Sequence, residues 1–402
     1  MSRVLAILVD ALRYDYVSEK DTPFIHRLAE EGLKLQLRPI LGYSDVIRAT
    51  IFTGLYPDRH GYWMSYFYSP ETSPFKFLRF LGFVDYIPSD LIRRGFKYLL
   101  SSTIVKAVGK LKGYSNLHLH NMPFRIICRF DMALRRPMKD PGAFSGCPTI
   151  FDVLREHGIK FTYLDSSKLK RKLLNEIRRL DEDVRFVFVY LHYLDESAHW
   201  FGLESLKFNR SLRAVDNLVY EIVSMLKRKF SEDLTTVVFS DHGMTEEKSR
   251  VRLDWLTNRK DFGRDFVLCL DATMIRIWYK QVDRRAELRR LILEAGSCRL
   301  LTEIEKKELG IEFKDRRYGD DIFLFDEGHI IFPNFYSYIR PKAMHAYDPA
   351  HPSQHGIFIF NDRKQSVTAS RRIIDLVDVA PSLLALLDLP IPTTCQGRLL
   401  WA

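Results

Sequence analysis

The sequence predicts an α/β protein built on a doubly wound, mostly parallel sheet flanked by helices, with cap-like insertions. Three observations predict it. Apolar, β-rich runs alternate with amphipathic helical stretches. Three of those runs are followed by an aspartate. Two long stretches break the rhythm, as insertions over the carboxyl edge of such a sheet would.

Val4 to Val9 reads as a first buried strand; it is too short for a signal-peptide core and runs directly into Asp10 and Arg13. Thr22 to Leu33 is an amphipathic helix, with Pro23 near its start and Gly32 near its end. Thr149 to His157 is a helix stopped by Gly158, Lys160 to Leu164 a strand, Lys168 to Leu180 a helix, and Arg185 to Leu191 (RFVFVYL) a strongly apolar strand. Phe208, Leu212, Val215, Leu218, Val219, Ile222 and Leu226 make a helical stripe. Thr235 to Phe239 is a strand ending at SDHG, GIFIF is another, and Ser370 to Leu387 reads as a helix closed by Pro390. Core segments 1–60, 147–244 and 341–402 thus enclose a basic, aromatic insertion at 61–146 and a smaller one at 245–340. The sequence has no Walker-type phosphate loop, GxGxxG, internal repeat or low-complexity tract.

Hydrophobic residues at 46% and charged residues at 28% exclude a mostly disordered chain. The net charge of +10 points to anionic partners. It is concentrated: Gly61 to Asp140 holds thirteen basic against five acidic residues, and the remainder is nearly neutral. Five cysteines without a CxxC pair suit reduced thiols in a cytosolic protein. No apolar stretch approaches the length that spans a bilayer. The expected location is cytoplasmic, with peripheral contact at the inner membrane face as an extension of the basic insertion.

In an open parallel sheet the carboxyl ends of the strands line the ligand crevice. Asp10, Asp195 and Asp241-His242, each following an apolar run, are therefore expected to meet there. One aspartate after a strand commonly caps a helix or bonds turn amides; several together with histidine point to metal chemistry. Asp195 and His199 are one helical turn apart and share a face if the segment coils. Carboxylate and imidazole are zinc ligands, an open zinc site needs a third, and His355 before GIFIF can supply it. His199 also reads as a half-buried histidine beside Trp200. Ser44, in GYSDVIRATIFTGLYPDRHG, suits either a helix N-cap or an oxygen held where helix amides favour an anion. The second role needs assistance, because an unassisted serine hydroxyl is a weak nucleophile at neutral pH.

The LVDALRYDY start, TGLYPDRHG, LDESAHWFG, SDHGM and HGIFIF together resemble the alkaline phosphatase superfamily, most closely its type I phosphodiesterase and nucleotide pyrophosphatase branch. The matches run from residue 4 to about residue 400 and leave both insertions outside. The resemblance implies two divalent metal ions, zinc or alternatively manganese. Asp195, His199 and His355 would hold one; Asp10, Ser44, Asp241 and His242 the other. It also implies that Ser44, nine residues before Thr53 of TGLYP, is the nucleophile and forms a phosphoserine that water then releases.

Two departures stand out. DVIRA replaces the TFPNH usual after the nucleophile, and Ser65 stands where the family keeps an Asn. Arg48 is the substitute contact to the phosphoryl group, since a guanidinium binds two phosphoryl oxygens at once; it reads equally as a surface residue of its helix. SDVIRA also resembles the sulfatase motif, but Val46 breaks it, and Ala11 stands where sulfatases commonly have a second Asp for calcium. Sulfatase is the weaker reading.

In the basic insertion, Ser89 to Gly113 spaces Ile92, Phe96, Leu99, Leu100, Ile104, Val108 and Leu111 as a helical stripe. Arg93, Arg94, Lys97, Lys106, Lys110 and Lys112 lie among them. The stripe either packs a lid on the core or lies on an anionic bilayer. Neighbouring aromatics, including Trp63, Tyr66, Phe75, Phe80 and Phe83, are candidates for the wall of an apolar or nucleotide pocket. The leading expectation is a metal-dependent phosphodiesterase acting on a nucleotide or lipid-linked phosphate ester. Phosphomonoesterase, phosphotransferase and an inactive basic binding module are the alternatives, and no specific nucleic-acid partner is expected.

Overall fold

A computed structural model describes residues 3–115, 117–166, 170–230, 234–362, 369 and 371–401. The chain forms two compact units, one of Met1–Gly61, Met138–Glu246 and Pro349–Ala402, the other of Tyr62–Pro137 and Glu247–Asp348.

The first unit holds a seven-stranded sheet. Its strands are β1 Arg3–Val9, β2 Leu33–Arg38, β3 Phe161–Asp165, β4 Phe186–Leu191, β5 Leu234–Phe239, β6 Gly356–Asn361 and β7 Ile373–Asp375. They lie in the order β7-β2-β6-β5-β1-β4-β3. Neighbours β5, β1, β4 and β3 are parallel, while β6 runs antiparallel to both β5 and β2. The central strands are buried on both faces, which is why they read as unbroken apolar runs and not as alternating ones. Helices α1 Pro23–Glu30, α2 Ser44–Thr53, α3 Ile150–Glu156, α4 Lys170–Arg178, α5 Tyr193–Phe201, α6 Leu206–Phe230 and α7 Val379–Ala385 accompany the sheet. Phe52 of α2 meets Phe151 of α3 and Phe188 of β4 edge-on at centroid distances of 4.9 and 5.2 Å, fixing α2 over the sheet. Gly54, at φ 66°, ends α2 in the left-handed conformation that the TGLYP glycine allows without strain.

Two expectations are corrected here. The helix expected over Thr22 to Leu33 ends at Glu30, and Leu33 opens β2, whose short LKLQLR alternation carries little apolar signal. The helix expected over Ser370 to Leu387 begins at Val379. Residue 370 lies outside the described residues, and Ile373–Asp375 pairs in parallel with β2 as an edge strand suited to its two isoleucines. The start of the helix expected over Lys168 to Leu180, at Lys168 and Leu169, also lies outside the described residues, and α4 is described from Lys170.

The second unit is built on a four-stranded antiparallel sheet of Phe266–Leu270, Met274–Tyr279, Asp321–Phe325 and Cys298–Leu300, in that order. Its core draws on both of its segments, from Tyr66 to Met132 and from Leu253 to Phe335. Trp63, Tyr66 and Phe75 are buried in this unit, so these aromatics serve packing and not a pocket wall. The Ser89 to Gly113 stretch is helical over Asp90–Leu100 and Lys106–Leu111, joined by a π-helical turn at Ser101–Val105. Its stripe is split: Leu100 and Val105 face inward, whereas Ile92, Leu99, Ile104 and Leu111 face solvent. Lys97, expected on the outer basic face, is buried beside Asp85 at 3.7 Å.

Candidate active site

Sheet topology explains the convergence of the site. Because β1, β4 and β5 are parallel, Asp10, the α5 residues and Asp241-His242 all emerge at one edge. Asp10 N donates to Leu191 O at 2.9 Å, which ties the two loops together. Strand β6 runs the other way, so His355, at its amino end, reaches the same edge; Gly243 N donates to Gln354 O at 2.7 Å. Strand β2, parallel to β5 by way of β6, carries the chain to Ser44.

Ser44 is the first residue of α2. Tyr43 takes the N-cap position, without a side-chain capping bond, so Ser44 is not the cap. Its Oγ lies 2.7 Å from His242 Nε2 and 3.4 Å from Asp10 Oδ1. His242 Nε2 is also 3.1 Å from Asp10 Oδ1 and 3.8 Å from Asp241 Oδ2. Across the ring, Nδ1 donates to the Gly243 carbonyl at 2.8 Å, because a carbonyl can only accept. Gly243 itself tolerates no side chain, since a Cβ there would lie 2.1 Å from Ser353 O.

The donor atoms of Asp10, Asp241 and His242 lie within 4.8 Å of one another, all three residues buried. Burial, then the nearby Asp10 carboxylate, pushes Asp241 up to about 7. Burial opposes ionisation of Asp10 too, but His242, Tyr190 and Arg48 hold it below its ordinary value. Burial would lower His242, yet Asp241 and Asp10 outweigh it and raise the imidazole to about 10. Negative charge thus exceeds what these neighbours neutralise easily. Asp241 Oδ2 is also buried without a hydrogen-bond partner. An oxygen so placed, next to a second carboxylate and an imidazole whose far nitrogen is anchored on a carbonyl, suits a divalent cation.

Asp195 and His199 lie one turn apart on α5, with Oδ1 and Nε2 3.2 Å apart. Donor atoms of Asp195, His242 and His345 also lie within 4.8 Å of one another, a second group in which His345 is the member that sequence reasoning did not include as a ligand. Neither His199 nor His355 joins the Asp10, Asp241 and His242 cluster. His355 Nε2 donates to Pro349 O at 2.9 Å, which leaves Nδ1 as the ring's lone-pair nitrogen, buried and without a hydrogen-bond partner. Arg48, one turn after Ser44, donates from Nε to Ser44 O at 3.2 Å and stacks over the Tyr190 ring at 4.3 Å. Its charge acts on Asp10 and Asp241, so it is not a mere surface residue.

Sequence reasoning missed Tyr190. Its hydroxyl donates to Asp10 Oδ2, and burial together with Asp10 raises its pKa well above the usual tyrosine value, so it stays a donor. Its place one residue before the end of β4 was the available signal. Two further histidines are structural: His192 bonds Ser166 Oγ at 2.9 Å, and His60 contacts Thr50 Oγ1 at 3.1 Å, burial lowering it to about 3.

A model of the type I phosphodiesterase / nucleotide pyrophosphatase family matches residues 4–315. An uncharacterized pyrophosphatase/phosphodiesterase of Schizosaccharomyces pombe is 24% identical over 270 residues, 64% of this chain and 47% of the relative. Ectonucleotide pyrophosphatase/phosphodiesterase family member 7 of Mus musculus is 24% identical over 253 residues, 60% of this chain and 50% of that protein. The chain therefore spans about half the length of these relatives. An inactive variant of murine ectonucleotide pyrophosphatase / phosphodiesterase 5, solved in complex with AMP, shares the fold with a TM-score of 0.71 at 17% identity, over 99% of this chain and 98% of the other. The human protein of that name gives 0.71 at 17% identity, over 98% and 97%. With the family pattern running through strands β1 to β5 and through Asp10, Ser44, Asp195, His199, Asp241 and His242, the chain belongs to the type I phosphodiesterase / nucleotide pyrophosphatase family.

Proposed function

We propose that this chain is a metal-dependent phosphodiesterase that cleaves nucleotide-type phosphate esters with Ser44 as nucleophile. The observation that carries the reading is the Ser44 hydroxyl at the start of α2, 2.7 Å from His242 Nε2 and beside Asp10. The phosphoryl group would sit at the α2 amino end, where the helix dipole favours an anion. Arg48, braced on Tyr190, supplies a guanidinium to its oxygens in place of the missing Asn. Asp10, Asp241 and His242 would hold one divalent ion, and Asp195, His199 and His355 are the candidates for a second; zinc suits such carboxylate and imidazole sets. When bound, such ions supply Lewis acidity that activates a hydroxyl and neutralises phosphoryl charge.

Ser44 Oγ forms the new bond to phosphorus, the bond to the leaving alcohol breaks, and that oxygen takes up a proton. The proton lost by Ser44 has the Asp10 carboxylate within reach, at 3.4 Å, whereas His242 Nε2 is the nitrogen that would face the ion. Attack by water on the phosphoserine then restores the hydroxyl. A nucleotide substrate rests on family membership and on the AMP complex of the murine neighbour. Turnover of bis(p-nitrophenyl) phosphate against p-nitrophenyl phosphate, with zinc or manganese supplied, tests the reading. Preference for the diester supports it, and preference for the monoester replaces it with a phosphomonoesterase.

Peripheral contact with an anionic membrane is a further part of the proposal. Ile92, Leu99 and Leu111, 59%, 59% and 88% exposed, lie on the same helical run as the exposed Lys106 and Lys110. Among the described residues no helix is long and apolar enough to cross a membrane. Co-sedimentation with anionic but not neutral vesicles is the expected result.

A further inference from the structure

The second unit contains a cavity of about 490 Å³ whose wall carries Arg93, Arg94, Lys97, Arg125, Arg250 and Arg252. Two carboxylates, Asp85 and Asp254, share that wall. Both are committed. Asp85 accepts the backbone amides of Phe124 and Arg125 at 3.0 and 2.9 Å and lies 3.7 Å from Lys97 Nζ. Asp254 takes Arg252 through both oxygens, at 3.2 and 2.9 Å.

Arg125 and Arg250 are positioned by neutral oxygen atoms; Asp254, the carboxylate that feels the Arg250 charge, is already bound through both oxygens to Arg252. Arg250 Nε donates to Phe332 O at 2.8 Å. Arg125 donates to Thr257 O and, at 3.3 Å, to Tyr86 Oη, while its Nε is buried without a hydrogen-bond partner. Carbonyl and hydroxyl oxygens orient a guanidinium without neutralising it. Arg94 and Arg250 both lie over the Phe332 ring, at 5.8 and 5.2 Å, which limits their spread. Several cations held around one concavity focus a positive potential inside it, and a guanidinium fork matches paired phosphoryl oxygens.

We propose that this cavity is a second anion site that takes a small molecule bearing two or more phosphoryl groups. The volume exceeds what a single phosphate fills and lies in the range of small-molecule sites. All of its lining residues belong to the second unit, and none is among Asp10, Ser44, Asp241 or His242. A free polyphosphate and a nucleoside triphosphate present the same chemistry, so both are used as probes.

The test is calorimetric titration of inorganic tripolyphosphate, ATP and orthophosphate into the full chain carrying Ser44→Ala. Tripolyphosphate is expected to bind more tightly than orthophosphate. ATP binding equal to or tighter than tripolyphosphate assigns the site to nucleotides, and weaker binding assigns it to free polyphosphate. Arg125→Gln/Arg250→Gln should weaken tripolyphosphate at least about tenfold, as should Arg250→Gln/Arg252→Gln, whose two side chains are exposed and whose replacement spares the core. Asp10→Ala should leave that binding in place, and both arginine pairs introduced into the wild-type chain should keep diester turnover within about twofold. Unchanged tripolyphosphate affinity in the Arg250→Gln/Arg252→Gln chain overturns the proposal. So does loss of binding in Asp10→Ala, or loss of diester turnover in that exposed arginine pair, because the anion would then belong to the catalytic site.

Discussion

His242 Nε2 lies 2.7 Å from Ser44 Oγ while Nδ1 of the same ring donates to Gly243 O at 2.8 Å. The second bond fixes which nitrogen faces the serine. It also explains why glycine follows the histidine: the Gly243 carbonyl must approach the ring, and a Cβ at that position would strike Ser353.

Metal content follows from this arrangement. Asp10→Ala and His242→Ala each remove a buried candidate ligand from the first cluster, and Asp195→Ala removes one from the α5 pair. Elemental analysis after zinc reconstitution should give up to two ions per chain in the wild type and a clear loss in each variant. Full metal content in Asp10→Ala and His242→Ala would remove the assignment.

Tyr190 is a positioning residue. Its hydroxyl holds Asp10 Oδ2, so Tyr190→Phe should weaken metal binding by roughly 10- to 100-fold, as outer hydrogen-bond partners of ligands do. A chelator competition titration measures it. Unaltered affinity, with any loss confined to kcat, would mean that Tyr190 acts on substrate and not through Asp10.

In the second unit, Asp321 supplies a pH dependence of stability. Burial opposes its ionisation, but hydrogen bonds from Arg289, Arg285 and Tyr279 prevail and hold it at about 2. Its unfolded value is near 3.9, so the stabilisation is fully present above about pH 4 and is lost as pH falls toward 2. Because both arginines are partly exposed, the contribution is on the order of 1 kcal/mol. Urea unfolding of wild type and Asp321→Asn should differ at pH 6 and converge by about pH 2. A gap independent of pH would locate the effect in packing.

The strands carrying Asp10, Asp195 and Asp241 were legible because central parallel strands are apolar on both faces, and an acid after each marks the carboxyl edge. Strand β2 was not. LKLQLR is short and alternating, yet it is the element that delivers Ser44 to the site. Tyr190 was hidden within an apolar run, where its hydroxyl gave no periodic signal. In the basic insertion the helical spacing was correct but the side facing the core was not, because Lys97 is drawn inward by Asp85, a residue twelve positions earlier that periodicity cannot register. His355 was named from its motif; β6, running against its neighbours, brings it to the same sheet edge but not into the Asp10, Asp241 and His242 cluster.

The central claim is that Ser44 itself attacks phosphorus. Diester turnover by metal-loaded wild type and Ser44→Ala, followed by intact-mass analysis of wild type quenched during turnover, tests it most directly. The account predicts at least a thousandfold loss, on the order of 4 kcal/mol of transition-state stabilisation, with metal content largely kept and a phosphoryl adduct on Ser44 in the wild type. Near-normal turnover in Ser44→Ala, with no adduct at position 44, would contradict it.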